Sequence, residues 1–292
     1  NLGEGYIEGN LLAYLGTLAA TVLVWCINRK VMTGLIYNEI NKVEDTKVKT
    51  VSEYRFLERF GEVGEYMRLE LKMLLRNKRC KASLRSVAML VIIFSIILSF
   101  SSTYDHMKSF VQVYSFLGFG MVILIRLMGF EGNYIDGLMT RKESIKSLLT
   151  AKYYIYSLAE IIPLILLIPA FVMGKASLLG AVALIFLTTG PVYCILFQLA
   201  VYNHKTVPLN ESITGKQSMN TGMQMLISFG LFIVPTTLYG TLPMLLGQTW
   251  AYIVILIIGL GFTLTSPMWI NNVYVRFMQR RYENMEGFRD SK

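Results

Sequence analysis

Long uncharged runs alternate along this chain with segments that hold nearly all of its Lys and Arg, and that alternation restricts the fold more than any single motif does. A helix that crosses a bilayer needs ~20 mostly apolar residues, because no water reaches the hydrocarbon core and the backbone must satisfy its own polar groups. Seven stretches meet that need. The first lies between Glu8 and Arg29, and the second is SVAMLVIIFSIILSFSSTY, between Arg85 and Asp105. SFVQVYSFLGFGMVILI, between Lys108 and Arg126, is the third, and YYIYSLAEIIPLILLIPAFVMG, between Lys152 and Lys175, is the fourth. The fifth covers 176–203 and is long enough to tilt, to kink near Pro191 or to project into water. The sixth, 221–239, and the seventh, 250–272, are joined by a short hairpin over 241–248. Composition agrees, since a mean hydropathy of +0.49 and 54% hydrophobic residues lie outside what a soluble domain tolerates.

Cytoplasmic loops collect Lys and Arg, so the loops themselves report orientation. If 29–85 is cytoplasmic, that side receives 26 of the 28 basic residues and the other side receives only Lys108 and Lys175. A missed or invented span would flip every later loop and scatter the charges. The chain therefore divides into a first span (1–28), a basic cytoplasmic linker (29–85), a six-span body (86–275) and a basic cytoplasmic tail (276–292). Asn1 at the front and the extra first span fit the C-terminal part of a longer chain.

Two cytoplasmic stretches carry pattern. In EVGEYMRLELKMLLRNKRCK, Val63, Met67, Leu71 and Leu74 recur at helical spacing, with Arg68, Lys72, Arg76 and Arg79 on another flank. This is a basic amphipathic helix feeding a span, suited to anionic lipid headgroups, to a docked partner, or to both. The second stretch, FEGNYIDGLMTRKESIKSLLTAKYY, joins the third and fourth spans. In it Tyr134, Ile135, Leu138 and Met139 share one face and Asn133, Asp136 and Gly137 the other. The apolar face is expected to pack into protein, with Glu131 and Asp136 nearer a polar rim. Thr140 to Glu143 fits a capping box that opens a second helix, whose Ile145, Leu148 and Leu149 lead into the fourth span. A short surface helix rigidly joined to two spans is a lever; the same pattern also fits a plain surface helix that covers apolar helix ends.

Elsewhere the candidates are few. Glu160 is a carboxylate inside the fourth span, costly enough to suggest either a polar contact in a substrate path or a bond to a Ser, Thr or Tyr of a neighbouring helix. Pro191 removes a backbone hydrogen bond, and Thr188 or Thr189 is placed to compensate. Gly118 with Gly120, and Gly259 with Gly261, lack the i, i+4 spacing of a small-residue seam. Cys26, Cys80 and Cys194 have no paired spacing, and His106 and His204 fall on opposite sides, so no residue is nominated as catalytic or metal-ligating. Topology already accounts for the basic residues, which argues against a nucleic-acid partner.

Amphipathic helix, six spans and a short cytoplasmic helix together resemble the permease subunits of type-2 ABC exporters. The family's coupling segment is matched by Glu131, Gly137, Leu138, Thr140 and Lys152, although no proline follows Thr140 and Gly132 replaces the usual basic neighbour. The wording ELKMLLRNKR, FEGNYIDGL and AKYY is similar to that of long-chain Bacteroidetes permeases. The resemblance implies an all-α membrane protein of seven transmembrane helices. The last six would form the permease core, 62–81 an interface helix, 131–139 the coupling helix and 240–249 a re-entrant hairpin. It also implies a multi-pass place in the inner membrane, a separate ABC ATPase in two copies that holds the ATP and Mg, and a second permease half or a homodimer. Consistent with that division of labour, neither Gly174-Lys175 nor Gly215-Lys216 has a glycine five residues earlier or a following Ser or Thr, so the chain has no phosphate loop. A non-transporting scaffold or sensor that holds a cytoplasmic partner is the second reading, and an intramembrane enzyme the third.

Overall fold

A computed structural model describes residues 11–40, 54–100, 107–140, 142–207 and 222–291, and among these there is no strand. Residues 1–53 and 54–292 form two units. The first contains α1 (Leu11–Ile40), whose described side chains are exposed, as befits a helix with apolar residues all round and no apolar stripe of its own.

The second unit begins with a 3-10 turn, Arg55–Phe60, and α2 (Gly61–Arg76), followed by α3 (Lys78–Phe100) and α4 (Lys108–Leu124). A 3-10 turn at Glu131–Tyr134 leads into α5 (Ile135–Met139) and then α6 (Lys142–Ala159), α7 (Ile161–Leu166) and α8 (Ile168–Val172). α9 (Leu178–Leu187) passes through one widened π turn, Thr188–Val192, into α10 (Tyr193–Tyr202). The chain ends with α11 (Gly222–Leu246), α12 (Gln248–Leu264), α13 (Ser266–Gln279) and α14 (Arg281–Asp290). It is an all-α, multi-pass membrane protein.

Among the described residues, five helices are long and apolar enough to cross a membrane: Tyr14–Gly34, Lys78–Phe100, Ile145–Leu166, Leu178–Tyr202 and Gln224–Leu246. The third expected span is the 17-residue α4, which at ~1.5 Å per residue falls short of a ~30 Å hydrocarbon core. It is instead the centre of the packing: ten of its residues are buried, among them Phe116 and Leu124. The seventh expected span is bent by 52° between α12 and α13, and counts as a sixth crossing only if the pair is taken as one. Pro267 opens α13 and explains the bend, since it cannot continue the α12 ladder; Thr265 and the Trp269 indole donate to Gly261 O and Phe262 O across it.

Three further expectations are corrected. α11 runs without interruption to Leu246, so no re-entrant hairpin forms over 240–249; the turn is made by Gly247 alone, at φ 80°, where a side chain would be strained. The interface helix stops at Arg76 rather than near 81, because Asn77 is extended (ψ 124°) and its side chain caps the next helix by accepting from Arg79 N at 3.0 Å. That break turns Arg79 inward to 3% exposure, away from the basic flank. The basic tail is helical, and Phe288 on α14 is fully buried.

α9 and α12 meet at Gly259. A Cβ there would lie 2.5 Å from the Phe186 carbonyl carbon, and one on Gly190 would lie 2.6 Å from Gly259 O. The close approach uses one glycine from each side of the contact, which is why spacing within a single helix did not reveal it. Pro191 sits in the π turn beside this contact, with Thr189 donating to Ile185 O at 2.9 Å. The Thr188 hydroxyl is buried with no hydrogen-bond partner among the described residues, and the carbonyl Thr189 reaches is that of Ile185, not that of Leu187 whose i+4 donor Pro191 removes, so the expected compensation by a threonine is not made.

Candidate functional site

The segment expected to act as a lever is held from below by charge. Glu131, at its start, is 1% exposed and lies 2.8 Å from Lys152 Nζ on α6. Lys152, also 1% exposed, donates to both carboxylate oxygens of Glu70 on α2 at 2.9 Å, and the Tyr156 hydroxyl donates to Glu70 Oε1 at 2.7 Å. Glu131 therefore belongs to the interior, not to a polar rim. Local sequence explains the convergence. Met67, Glu70 and Leu74 lie on the buried stripe of α2, and Ile145, Leu149, Lys152 and Tyr156 on that of α6, so facing the two stripes brings a carboxylate and an ammonium together.

Two buried carboxylates share one ammonium. Burial favours the neutral form of Glu131 and pushes its pKa up, against the pull of Lys152. Neither of its oxygens makes a well-directed hydrogen bond among the described residues, although Oε1 lies at ion-pair distance from Lys152, whereas both Glu70 oxygens are bonded.

The rest of the segment divides as its periodicity suggested, with one exception. Ile135 and Met139 are buried and Leu138 is half-buried, whereas Asp136 is exposed. Tyr134 is 51% exposed despite sharing their face, because it closes the 3-10 turn and not the helix proper. Thr140 donates to Gly137 O at 2.7 Å and so closes α5; the Glu143 side chain needed for the capping box lies outside the described residues. α14 clamps the segment. Arg289 pairs with Asp136 at 2.8 Å, and a Cβ on Gly132 would lie 2.6 Å from the Phe288 ring. Asn133 donates to Phe130 O and Val207 O, and Ser291 donates to His204 O at 2.9 Å.

On α2, Met67 is buried, Leu71 and Lys72 are half-buried and Arg76 is exposed, while Arg68 pairs with Glu58 at 3.1 Å. Sequence reasoning missed Glu70, Arg289 and Phe288. An acidic residue on an apolar stripe, three after Met67 and four before Leu74, was the available signal for the first; nothing local marks the other two.

Glu160 is fully buried at the break between α6 and α7, and accepts from the Tyr193 hydroxyl at 2.6 Å. The bond to a tyrosine of a neighbouring helix is thus realised. Among the described residues no group of three His, Cys, Asp or Glu is arranged to hold a metal ion. His106 lies outside the described residues, and the three cysteines are free.

Residues 3–291 match the Family of unknown function (DUF5687), and the chain belongs to that family. No curated protein and no solved structure matches it.

Proposed function

We propose that this family member is the permease subunit of an ATP-driven exporter, with 131–139 as the point where a separate ATPase pushes. The supporting observation is the Glu131–Lys152–Glu70 cluster. Through it the start of the cytoplasmic segment is tied by buried charge to both α6 and α2, so displacement of one end must move the others or break the cluster. Separating Lys152 from Glu70 leaves unpaired charge in the interior, which costs about 3–5 kcal/mol, and Glu131 is held on the same ammonium. The segment therefore moves as a unit, as a coupling element requires. Its exposed rim, Asn133, Tyr134, Asp136 and Gly137, is the surface offered to the partner. The inner membrane, two ATPase copies carrying ATP and Mg, and a second permease half complete the proposal.

Co-purification tests it. Co-expressed with an ATPase encoded beside it, the chain should bring down that subunit, and Tyr134→Ala with Gly137→Arg, at a position with open space around it, should reduce association at least tenfold without lowering the thermal midpoint. If no ATP-binding subunit accompanies the protein, or the double substitution leaves the complex and its activity intact, the scaffold or sensor reading replaces this one.

A further inference from the structure

A cavity of about 370 Å³ lies between α3, α4 and α11, lined by Ser83, Val87, Leu117, Met121, Val122 and Ile125, with Arg79 and Arg126 also on its wall. Its size suits a small-molecule or lipid-headgroup site. α3 and α4 are consecutive helices packed side by side, so the start of α3 and the end of α4 share an end of the bundle, and both arginines sit there. By the charge segregation of the sequence, this is the cytoplasmic end. The opposite end is closed by aromatic side chains: Phe232 of α11 meets Phe110 at 5.2 Å and Tyr114 at 6.1 Å, and Tyr114 meets Phe94 at 5.5 Å.

Arg79 is the unexplained residue. It is 3% exposed, and its Nη1 is buried with no hydrogen-bond partner among the described residues. A buried guanidinium nitrogen left unpaired costs far more than an exposed one and calls for a counter-charge. No carboxylate is among the residues lining the cavity. The second arginine concentrates the positive charge: burial and the neighbouring Arg79 both pull the Arg126 pKa down.

We propose that this cavity binds an acidic phospholipid, its phosphate on Arg79 and Arg126 and an acyl chain along Val87, Leu117, Met121 and Phe232. Guanidinium forks match phosphate geometry, and basic pockets between helices on the cytoplasmic side are where anionic headgroups lodge. Ser83 and Ser228 supply hydroxyls to the same wall, and exposed Leu90, Phe229 and Ile233 on the same helices present apolar surface to a bilayer. The site is independent of ATPase coupling, because none of its residues belongs to the cytoplasmic segment.

The test uses the full chain in a nonionic detergent, with phosphatidylglycerol, phosphatidylcholine and inorganic phosphate as probes, read by native mass spectrometry and by thermal midpoint. Phosphatidylglycerol should be retained and should raise the midpoint, whereas phosphatidylcholine should do neither. Arg79→Gln should weaken phosphatidylglycerol retention at least tenfold while leaving the lipid-free midpoint unlowered, which an arginine with a purely structural role would not do. Met121→Trp, which fills the cavity and keeps both arginines, should weaken retention as well, and it serves as the second variant if Arg79→Gln does not fold. Equal retention of the two lipids, undiminished retention by these variants, or displacement by millimolar inorganic phosphate with equal stabilisation would overturn the proposal, the last in favour of a free-anion site.

Discussion

Lys152 is one cation between two carboxylates, and that imbalance makes the three residues unequal. Lys152→Met strands Glu70 and Glu131 in the interior and is expected to destabilise the protein by about 3–5 kcal/mol, seen as a lower thermal midpoint in detergent. Glu131→Gln should cost less than about 1 kcal/mol, because Lys152 and Tyr156 still satisfy Glu70 and the cluster loses its surplus negative charge. The same residue sets a pH dependence. A carboxyl whose pKa is raised on folding binds its proton more tightly in the folded protein, so its stabilisation is complete below the ordinary value of 4.5 and is lost as pH rises through the folded value. The midpoint of the wild type should therefore fall with rising pH above about 4.5, and Glu131→Gln should flatten that slope. An unchanged slope in the variant would assign the titration to another group.

Among the elements, the contact of α9 with α12 is the least tolerant of added volume. Gly259→Leu places a side chain where the Phe186 backbone already stands, and a helix backbone cannot step aside as a flexible side chain can. The helices must separate, at a cost of about 1–3 kcal/mol or more, with a lower midpoint and a broader size-exclusion profile as the measurements. Around Gly261, two residues on, nothing lies within 4 Å of where a Cβ would stand, so Gly261→Ala should leave both measurements unchanged and provides the control. Two positions in one short motif thus differ because only one of them faces the neighbouring helix.

For the whole molecule, the segregation of basic residues predicts sidedness. With native cysteines replaced by serine, Lys175→Cys should react with a membrane-impermeant maleimide in intact cells, while Arg289→Cys should react only after lysis. Equal labelling of both would dismiss the orientation. The positions of the apolar runs, the all-α class and the charge asymmetry were legible in the sequence, because hydropathy and charge belong to each residue and are read over neighbours in the chain. So were the buried face of Ile135 and Met139 and the disturbance at Pro191, which follow from helical periodicity and from a missing N–H. The hairpin expected before the last crossing was not realised, since one glycine suffices to reverse the chain. Partnership across the bundle was decided only in three dimensions. Lys152 meets Glu70 82 positions away, and Arg289 meets Asp136 153 positions away. Whether a carboxylate is a solvated rim or half of a buried ion pair depends on which helix faces it, a distance between elements that no local pattern encodes. The sequence alone therefore determined where the long apolar runs and the basic segments lie along the chain; tertiary packing decided which polar groups had to leave water together.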